Sequence, residues 1–405
     1  LKRMFKITVL LTLIFFISLV VISRFSGVGI RVSDGSYLGY SASTDEWLIF
    51  EYQNIPVMHD GPYVFVESSK LLALRVESFK QTINKVTRSP VDGDLLVTVD
   101  NKSKTQFTVP LRQSDPRSQL NYSTTEKVLA ISDIEGNFDA AAKLLIANGV
   151  IDSSLRWSFG KGHLVLIGDM VDRGTNVLPT LWLLYKLEAE AKNAGGHLHY
   201  VLGNHERYLL DGRTKSVAKK YFGTYRATGM TQRQLWSENT LLGRWLRTKP
   251  ALLKINDILY VHGGISPEVL TQRPTLEFID NLAKESFVTS GTNIKNIDDH
   301  ILHGSKGLLF YRGLAKDMSH YNLGKKASEK HVEKILEVYG AQKIAIGHTL
   351  TKHIGFDFND KVVRVDVDHA SGESEALLIE GRDISRVNTK GQKLPLIQIE
   401  SAEIL

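Results

Sequence analysis

The sequence predicts an α/β fold with chemically active residues gathered at one edge of a sheet, and a smaller β-rich region ahead of it. Two observations carry this expectation. From Lys127 onward, short apolar runs alternate with helical patterns, as in a layered α/β core. Five polar motifs each follow one of those runs. Asp133-Ile134-Glu135-Gly136-Asn137 follows Val128–Ser132, and Gly168-Asp169-Met170-Val171-Asp172-Arg173-Gly174 follows Leu164–Ile167. Gly203-Asn204-His205-Glu206 follows Leu198–Leu202, His262-Gly263-Gly264 follows Ile258–Val261, and Gly347-His348-Thr349 follows Ile344–Ile346. Open α/β sheets build their sites beyond the carboxyl ends of strands, so this placement brings metal-ligand residue types together.

Taken in order, the chain opens on a segment unlike the rest. Ile7 to Ser23 is free of charge and follows Lys2, Arg3 and Lys6. The spacing predicts an N-terminal membrane anchor or signal segment over residues 1–28, and the anchor is favoured because no small-residue cleavage site follows. The positive-inside bias then puts the remainder of the chain outside the cytoplasm, at the cell envelope, or secreted if the segment is cleaved. The net charge of +6 owes most to this segment. Without Lys2, Arg3, Lys6 and Arg24, the 50 basic residues become 46 against 44 acidic, a net of +2. A nucleic-acid partner is therefore not expected. The chain has no cysteine, which excludes disulfides, thiolate ligands and thiolate nucleophiles. A hydrophobic content of 42% and a charged content of 23% are those of an ordinary globular protein.

Residues 29–120 read as a β-rich accessory region, with strand candidates at 47–52, 63–66, 71–76, 95–99 and 106–109 and turn residues between them. The polar stretch 113–125 reads as a linker. Residues 121–385 form the expected catalytic domain. Helices are expected over 138–148 and 181–194, the latter ending near Gly195-Gly196. Residues 207–250, with Tyr208, Tyr221, Trp236 and Trp245, interrupt the alternation and read as a helical cap beside the site. Residues 267–335 read as a second insertion. Strands return at 362–367 and 376–379, and residues 386–405 read as a C-terminal tail.

The motifs carry a coherent chemistry. A carboxylate at Asp169 can bridge two divalent cations roughly 3.5–4 Å apart. Asn204, His262 and His348 offer oxygen and imidazole nitrogen to one ion, while Asp133 and the residue two positions on suit the other. Mixed nitrogen and oxygen ligation of this kind fits manganese, iron or zinc. Two such ions clamp a phosphate and lower the pKa of a bridging water toward neutrality. His205 is placed to act as general acid, Asp172 to orient its ring, and Arg173 to present a guanidinium fork to phosphate oxygens. Any one motif alone reads more simply as a turn or a helix start. Five in order, each after an apolar strand, point to a dinuclear phosphoesterase.

These motifs resemble the phosphoprotein phosphatase family within the calcineurin-like metallophosphoesterases. The blocks Gly168–Gly174 and Gly203–Glu206 match that family's pattern completely. The His262-Gly263-Gly264 and Gly347-His348-Thr349 pair is most similar to the Shewanella-like, bacterial-type branch. The resemblance covers roughly Lys127 to Glu380. It implies a four-layer sandwich, a central β-sandwich flanked by helices, and two divalent ions. Manganese is favoured, with iron, zinc or magnesium as alternatives. It implies direct hydrolysis of phosphomonoesters by a metal-bridging hydroxide, with Ser/Thr phosphoproteins as substrates and nucleotides or small phosphoesters as the alternative. By the same match, Asp133, Asp169, Asn204, His262 and His348 are ligands, His205 is the acid and Arg173 binds phosphate. A second phosphate-binding arginine is expected between the last two histidines, where Arg312 fits best. The first block departs from the pattern. Ser132 replaces a glycine, and Glu135 stands where the family has a histidine ligand. Glu135 either ligates as a hard oxygen donor, shifting that ion toward magnesium or manganese, or leaves the position to water, or marks a metal lost with activity. The last case would make the chain a binding module; an active enzyme is the favoured reading.

Overall fold

In the computed structural model, residues 55–399 are described apart from 69, 80–82, 113–118, 289–298 and 322–323. Before residue 55, only strand segments between 30 and 51 and a few helical positions between 8 and 18 are described. The expected anchor over 1–28 thus lies largely outside the described residues. Among these, no helix is long and apolar enough to cross a membrane.

Two sheets face one another. In the first, Val128–Ile131 lies between the parallel strand His163–Ile167 and the antiparallel strand Glu375–Glu380. His197–Val201 extends it in parallel on one side. Asp383–Asn388 and Lys393–Pro395 extend it on the other. In the second, Ile258–Val261 pairs in parallel with Lys343–Ile346, which pairs in parallel with Val362–Arg364. Leu252–Ile255 joins Ile258–Val261 antiparallel and ends against the short strand Asn121–Tyr122.

The alternation of side chains sorts into layers. Val128, Ala130, Val165, Ile167 and Val201 meet Leu253, Tyr260, Ala345 and Val363 in a core between the sheets. The opposite faces bury residues such as Leu129 and Leu166 against helices Phe138–Ala147 and Val177–Asn193. Leu259 and Ile344 pack likewise against Leu276–Val288 and Glu329–Tyr339. The strands Val128–Ile131 and Ile258–Val261 are therefore apolar on both faces, as strands buried on both sides are. The result is the expected sandwich of two sheets between helical layers.

Several stretches sit differently from their sequence reading. Residues 267–335 supply most of the second sheet's outer helical layer, so this segment is part of the core architecture. The end of the polar stretch 113–125 is the sheet strand Asn121–Tyr122. Residues 386–398, read as tail, contribute strands to both sheets. The strands at 60–67, 70–79 and 83–90 form one sheet and those at 95–98 and 106–109 a hairpin. Their apolar faces, with Tyr63, Phe65, Leu95, Val97 and Phe107, share one core with helix Val177–Asn193. The Trp182 indole donates to the Pro62 carbonyl at 2.9 Å, and the Arg112 amide donates to the Tyr185 hydroxyl at 2.9 Å.

Candidate metal centre

Each motif residue sits just past a strand. Asp133 and Asp169 follow Val128–Ile131 and His163–Ile167 by two residues, and Asn204 begins helix Asn204–Asp211. His262 follows Ile258–Val261 directly and His348 follows Lys343–Ile346 after one glycine. The parallel strands of both sheets thus deliver their carboxyl ends to one edge.

The turns that make this possible are tight. Asp133, Glu135, Asp169, Asp172, Arg173 and His348 all hold left-handed backbone, with φ from +49° to +70°. Such conformations cost of the order of 1–3 kcal/mol each for non-glycine residues and gather at functional sites. Backbone bonds lace the first two loops together: the Asp133, Glu135 and Gly136 amides donate to the carbonyls of Gly168, Asp169 and Met170 at 2.9–3.0 Å. Gly347 is required by close approach, because a Cβ there would lie 2.0 Å from Ser132 Oγ and 2.6 Å from Asp133 Oδ2.

Asp169, His262 and His348 bring one ligand atom each within 4.8 Å of one another. The His262 Nδ1 donates to the Ile167 carbonyl at 2.7 Å, which turns Nε2 toward Asp169 Oδ2 at 3.0 Å and Asn204 Oδ1 at 3.1 Å. Lone-pair atoms from three side chains therefore converge, the donor set of a cation site with mixed nitrogen and oxygen ligands. Burial alone would depress the His262 pKa, yet the charges of Asp169 and Asp133 hold it up at about 10. The His348 Nε2 donates to the Phe310 carbonyl at 3.1 Å, leaving Nδ1 for the ion. Burial, and then the neighbouring His262, keep His348 neutral, which suits a ligand.

Asp133 and Glu135 stand one step away. Asp133 Oδ2 accepts from the Ser132 hydroxyl at 2.5 Å and from the His348 amide at 3.1 Å. The serine that replaces the expected glycine thus orients the neighbouring carboxylate. Burial raises the Asp133 pKa to about 6 and, against Arg173, that of Glu135 to about 7. Glu135 turns to Arg173 and forms an ion pair with its guanidinium. Both residues line a cavity of about 340 Å³ with Asp169, Arg312, His348 and Asp366.

The expected acid is well held. His205 Nδ1 lies 2.8 Å from Asp172 Oδ2, and its amide donates to Asp169 Oδ1 at 2.8 Å. Burial would lower its pKa, but Asp169 and the bond to Asp172 lift it to about 9. Arg312 donates to the His348 carbonyl and to Thr349 Oγ1, which places its guanidinium at the rim of the same cavity.

Two features had no role in the sequence reading, and a third, the cap residue Tyr208, gains an aromatic partner in Phe310. The Glu206 carboxylate accepts from the amides of Asp169, Met170 and Gly203 and from the Tyr200 hydroxyl at 2.7–2.9 Å, so it clamps two ligand loops together. Its place three residues after Gly203, at the start of a helix, was the available signal. Tyr208 and Phe310 have ring centroids 5.8 Å apart and line a cavity of about 590 Å³ beside His205 and His348. Asp366 follows the run Val362–Val365, which resembles those before the five motifs except that Arg364 interrupts it.

Comparisons with known proteins identify the family and the fold. Residues 126–352 match the calcineurin-like phosphoesterase family. A Shewanella-like protein phosphatase 2 of Arabidopsis thaliana is 26% identical over 319 residues, spanning 65% of this chain and 78% of its own. A symmetrical bis(5'-nucleosyl)-tetraphosphatase of Chromobacterium violaceum is 29% identical over 180 residues, spanning 44% of this chain and 56% of its own. The crystal structure of a cold-active protein-tyrosine phosphatase from a psychrophilic Shewanella species superposes with a TM-score of 0.73 at 29% identity. That match covers 84% of this chain and 100% of the Shewanella chain, more than residues 121–405 alone can account for.

Proposed function

The chain belongs to the calcineurin-like phosphoesterase family and is a metal-dependent phosphatase; we propose that it hydrolyses phosphomonoesters with an aromatic leaving group, such as phosphotyrosine in a peptide. The observation that carries this reading is the aromatic wall of the larger cavity. His205, Tyr208, Phe310 and His348 follow one another at centroid distances of 5.4, 5.8 and 6.2 Å. A phenyl ring leaving from the metal centre would pack against these faces and edges. The aliphatic carbon of a phosphoserine would gain little there. The name of the Shewanella structure points the same way.

Asp169, His262, His348 and Asn204 would hold one ion, with Asp133 toward a second, and we expect manganese there. Bound ions would polarise the phosphoryl group and activate water. The chain's own residues do the rest. Asp172 fixes the His205 ring with Nδ1 protonated, so Nε2 faces the leaving oxygen and can deliver a proton to it. Arg312 and Arg173 would grip the phosphate oxygens, and Arg173 must first give up Glu135.

A second reading rests on Arg213 and Lys215, which are exposed at the same cavity and suit the extra phosphates of a dinucleoside polyphosphate. Comparing kcat/KM for a phosphotyrosine peptide, its phosphoserine counterpart and diadenosine tetraphosphate decides among the three. Preference for phosphotyrosine, lost in Tyr208→Ala and Phe310→Ala, supports the proposal; preference for either competitor overturns it. We further propose that residues 1–28 tether the enzyme to the cell envelope, on the strength of the uncharged run Ile7–Ser23. Retention in the membrane fraction, abolished by deleting that segment, is the expected outcome.

A further inference from the structure

We infer that Asp366 is a ligand of the second metal ion and supplies the oxygen that Glu135, engaged by Arg173, does not. The inference rests on the dinuclear reading of the centre and extends it to a residue outside the five motifs. Asp366 lies two residues past Arg364, the last residue of strand Val362–Arg364, which runs parallel to the strand that delivers His348. Its backbone is pinned there, since its carbonyl accepts from the Thr351 amide at 2.9 Å.

The side chain has no evident structural employment. Asp366 is only 6% exposed, yet among the described residues its carboxylate accepts no hydrogen bond. A buried carboxylate without a donor is unfavourable, and native structures retain one only where something compensates it. The nearby guanidinium groups feel its charge but donate their hydrogen bonds elsewhere. Arg364 donates to the Thr349 and Leu350 carbonyls, and Arg312 to His348 and Thr349. Asp366 instead lines the smaller cavity with Asp133, Glu135 and Asp169.

This changes the character of the two ion positions. The first is built from His262, His348, Asn204 and the shared Asp169, a mixed nitrogen and oxygen set. The second becomes an oxygen set of Asp133, Asp366 and the shared Asp169. Hard oxygen donors favour manganese or magnesium over zinc. Glu135 is then free to hold Arg173 in place until a phosphate displaces it.

The test is manganese binding to the full chain by equilibrium dialysis, with electron paramagnetic resonance of the bound ions, for the native protein, Asp366→Asn and Glu135→Gln. The native chain should bind two manganese ions with the spectrum of a spin-coupled pair. Asp366→Asn should keep one ion with an isolated-ion spectrum and weaken the other by about tenfold or more. Glu135→Gln should keep both. The melting temperature of the metal-free Asp366→Asn protein reports whether the fold survives. Two coupled ions in Asp366→Asn, with or without a loss of stability, overturn the inference and leave the dinuclear reading standing. Loss of the second ion in Glu135→Gln alone would assign the ligand to Glu135. Failure of the native chain to bind a second ion would overturn the dinuclear reading itself, and this inference with it.

Discussion

His205 and Glu206 are neighbours with separate duties, and each can be removed alone. His205→Gln should leave metal content unchanged while lowering kcat, by about 100-fold or more for a poor alkyl leaving group. The loss should be much smaller for p-nitrophenyl phosphate, whose leaving oxygen needs little protonation. Equal losses on both substrates would deny His205 the role of acid. Glu206 bonds four donors from a fully buried position. Glu206→Ala strands those donors and should cost about 3–5 kcal/mol, read as a fall in the denaturation midpoint. At this scale the sequence was informative about residue types, because spacing after apolar strands marked His205, Asp169, His262 and His348. Asp366 also follows a strand-like run, but Arg364 interrupts that run, and the loops of Asp133 and Asp169 that share its cavity lie more than 190 residues away in the chain. The sequence also left the orientation of Glu135 open, because an ion pair with Arg173 is a choice made only in three dimensions.

Elements decide how those residues are held. The central strands and the helices over 138–147 and 177–193 were legible because apolar runs and helical periods are strong local signals. The strands at 83–90, 383–388 and 393–395 were not. Ile83–Pro90 and Asp383–Asn388 are largely polar or only half-buried, and such strands owe their conformation to a partner. The left-handed turns were equally hidden, since Asp and His adopt positive φ more readily than most residues but still only occasionally, as Asp133, Asp169 and His348 do here. Gly347→Ala should force Ser132 and Asp133 apart and weaken metal binding. A metal affinity equal to the native value would contradict the close packing described here.

The opposite ends of the same strands make a second prediction. His163 Nδ1 and His199 Nε2 lie 2.9 Å apart, so at least one of the rings is neutral. Burial, then His197, pushes the His163 pKa down to about 4, and burial lowers His199 as well. The unfolded chain, with histidines near 6.5, binds more protons in that interval. These two residues therefore contribute their full stability above about pH 6.5 and lose it as pH falls toward 4. The slope is at most about 1.4 kcal/mol per pH unit for each histidine. Urea midpoints between pH 7 and 4 should show this dependence, and His199→Gln should flatten it. An unchanged slope in the variant would place the protons elsewhere.

At the scale of the whole molecule, residues 60–109 brace the active half. Asp60 accepts from Tyr63 and from Thr224 of helix Lys219–Thr228, and Lys220 of that helix donates to the Thr175 carbonyl beside the second motif. Glu188 receives Trp245 and pairs with Lys249 and Arg112, tying the cap, helix Val177–Asn193 and the end of the β-rich region together. Burying side chains such as Tyr63, Phe65, Leu95 and Phe107 stabilises by roughly 1.5–3 kcal/mol each, and the sum rivals the usual stability of a domain. A chain starting at residue 55 should fold and keep activity, while one starting at 119 should aggregate. Soluble, active protein from the shorter chain would show the brace to be dispensable. No local pattern marks this union, since its contacts join residues from 76 (Arg112 and Glu188) to 164 (Asp60 and Thr224) positions apart.

We propose that two ions held by Asp169 and its neighbours carry the phosphatase reaction. Hydrolysis of an aryl phosphate, measured as a function of manganese bound per chain from chelated protein, decides this. Turnover should be absent without metal, reach its plateau at about two ions per chain, and stay absent in Asp169→Asn at every metal load. Turnover that survives chelation, or a folded and fully loaded native chain that never hydrolyses the substrate, would rule out catalysis by a metal pair at Asp169.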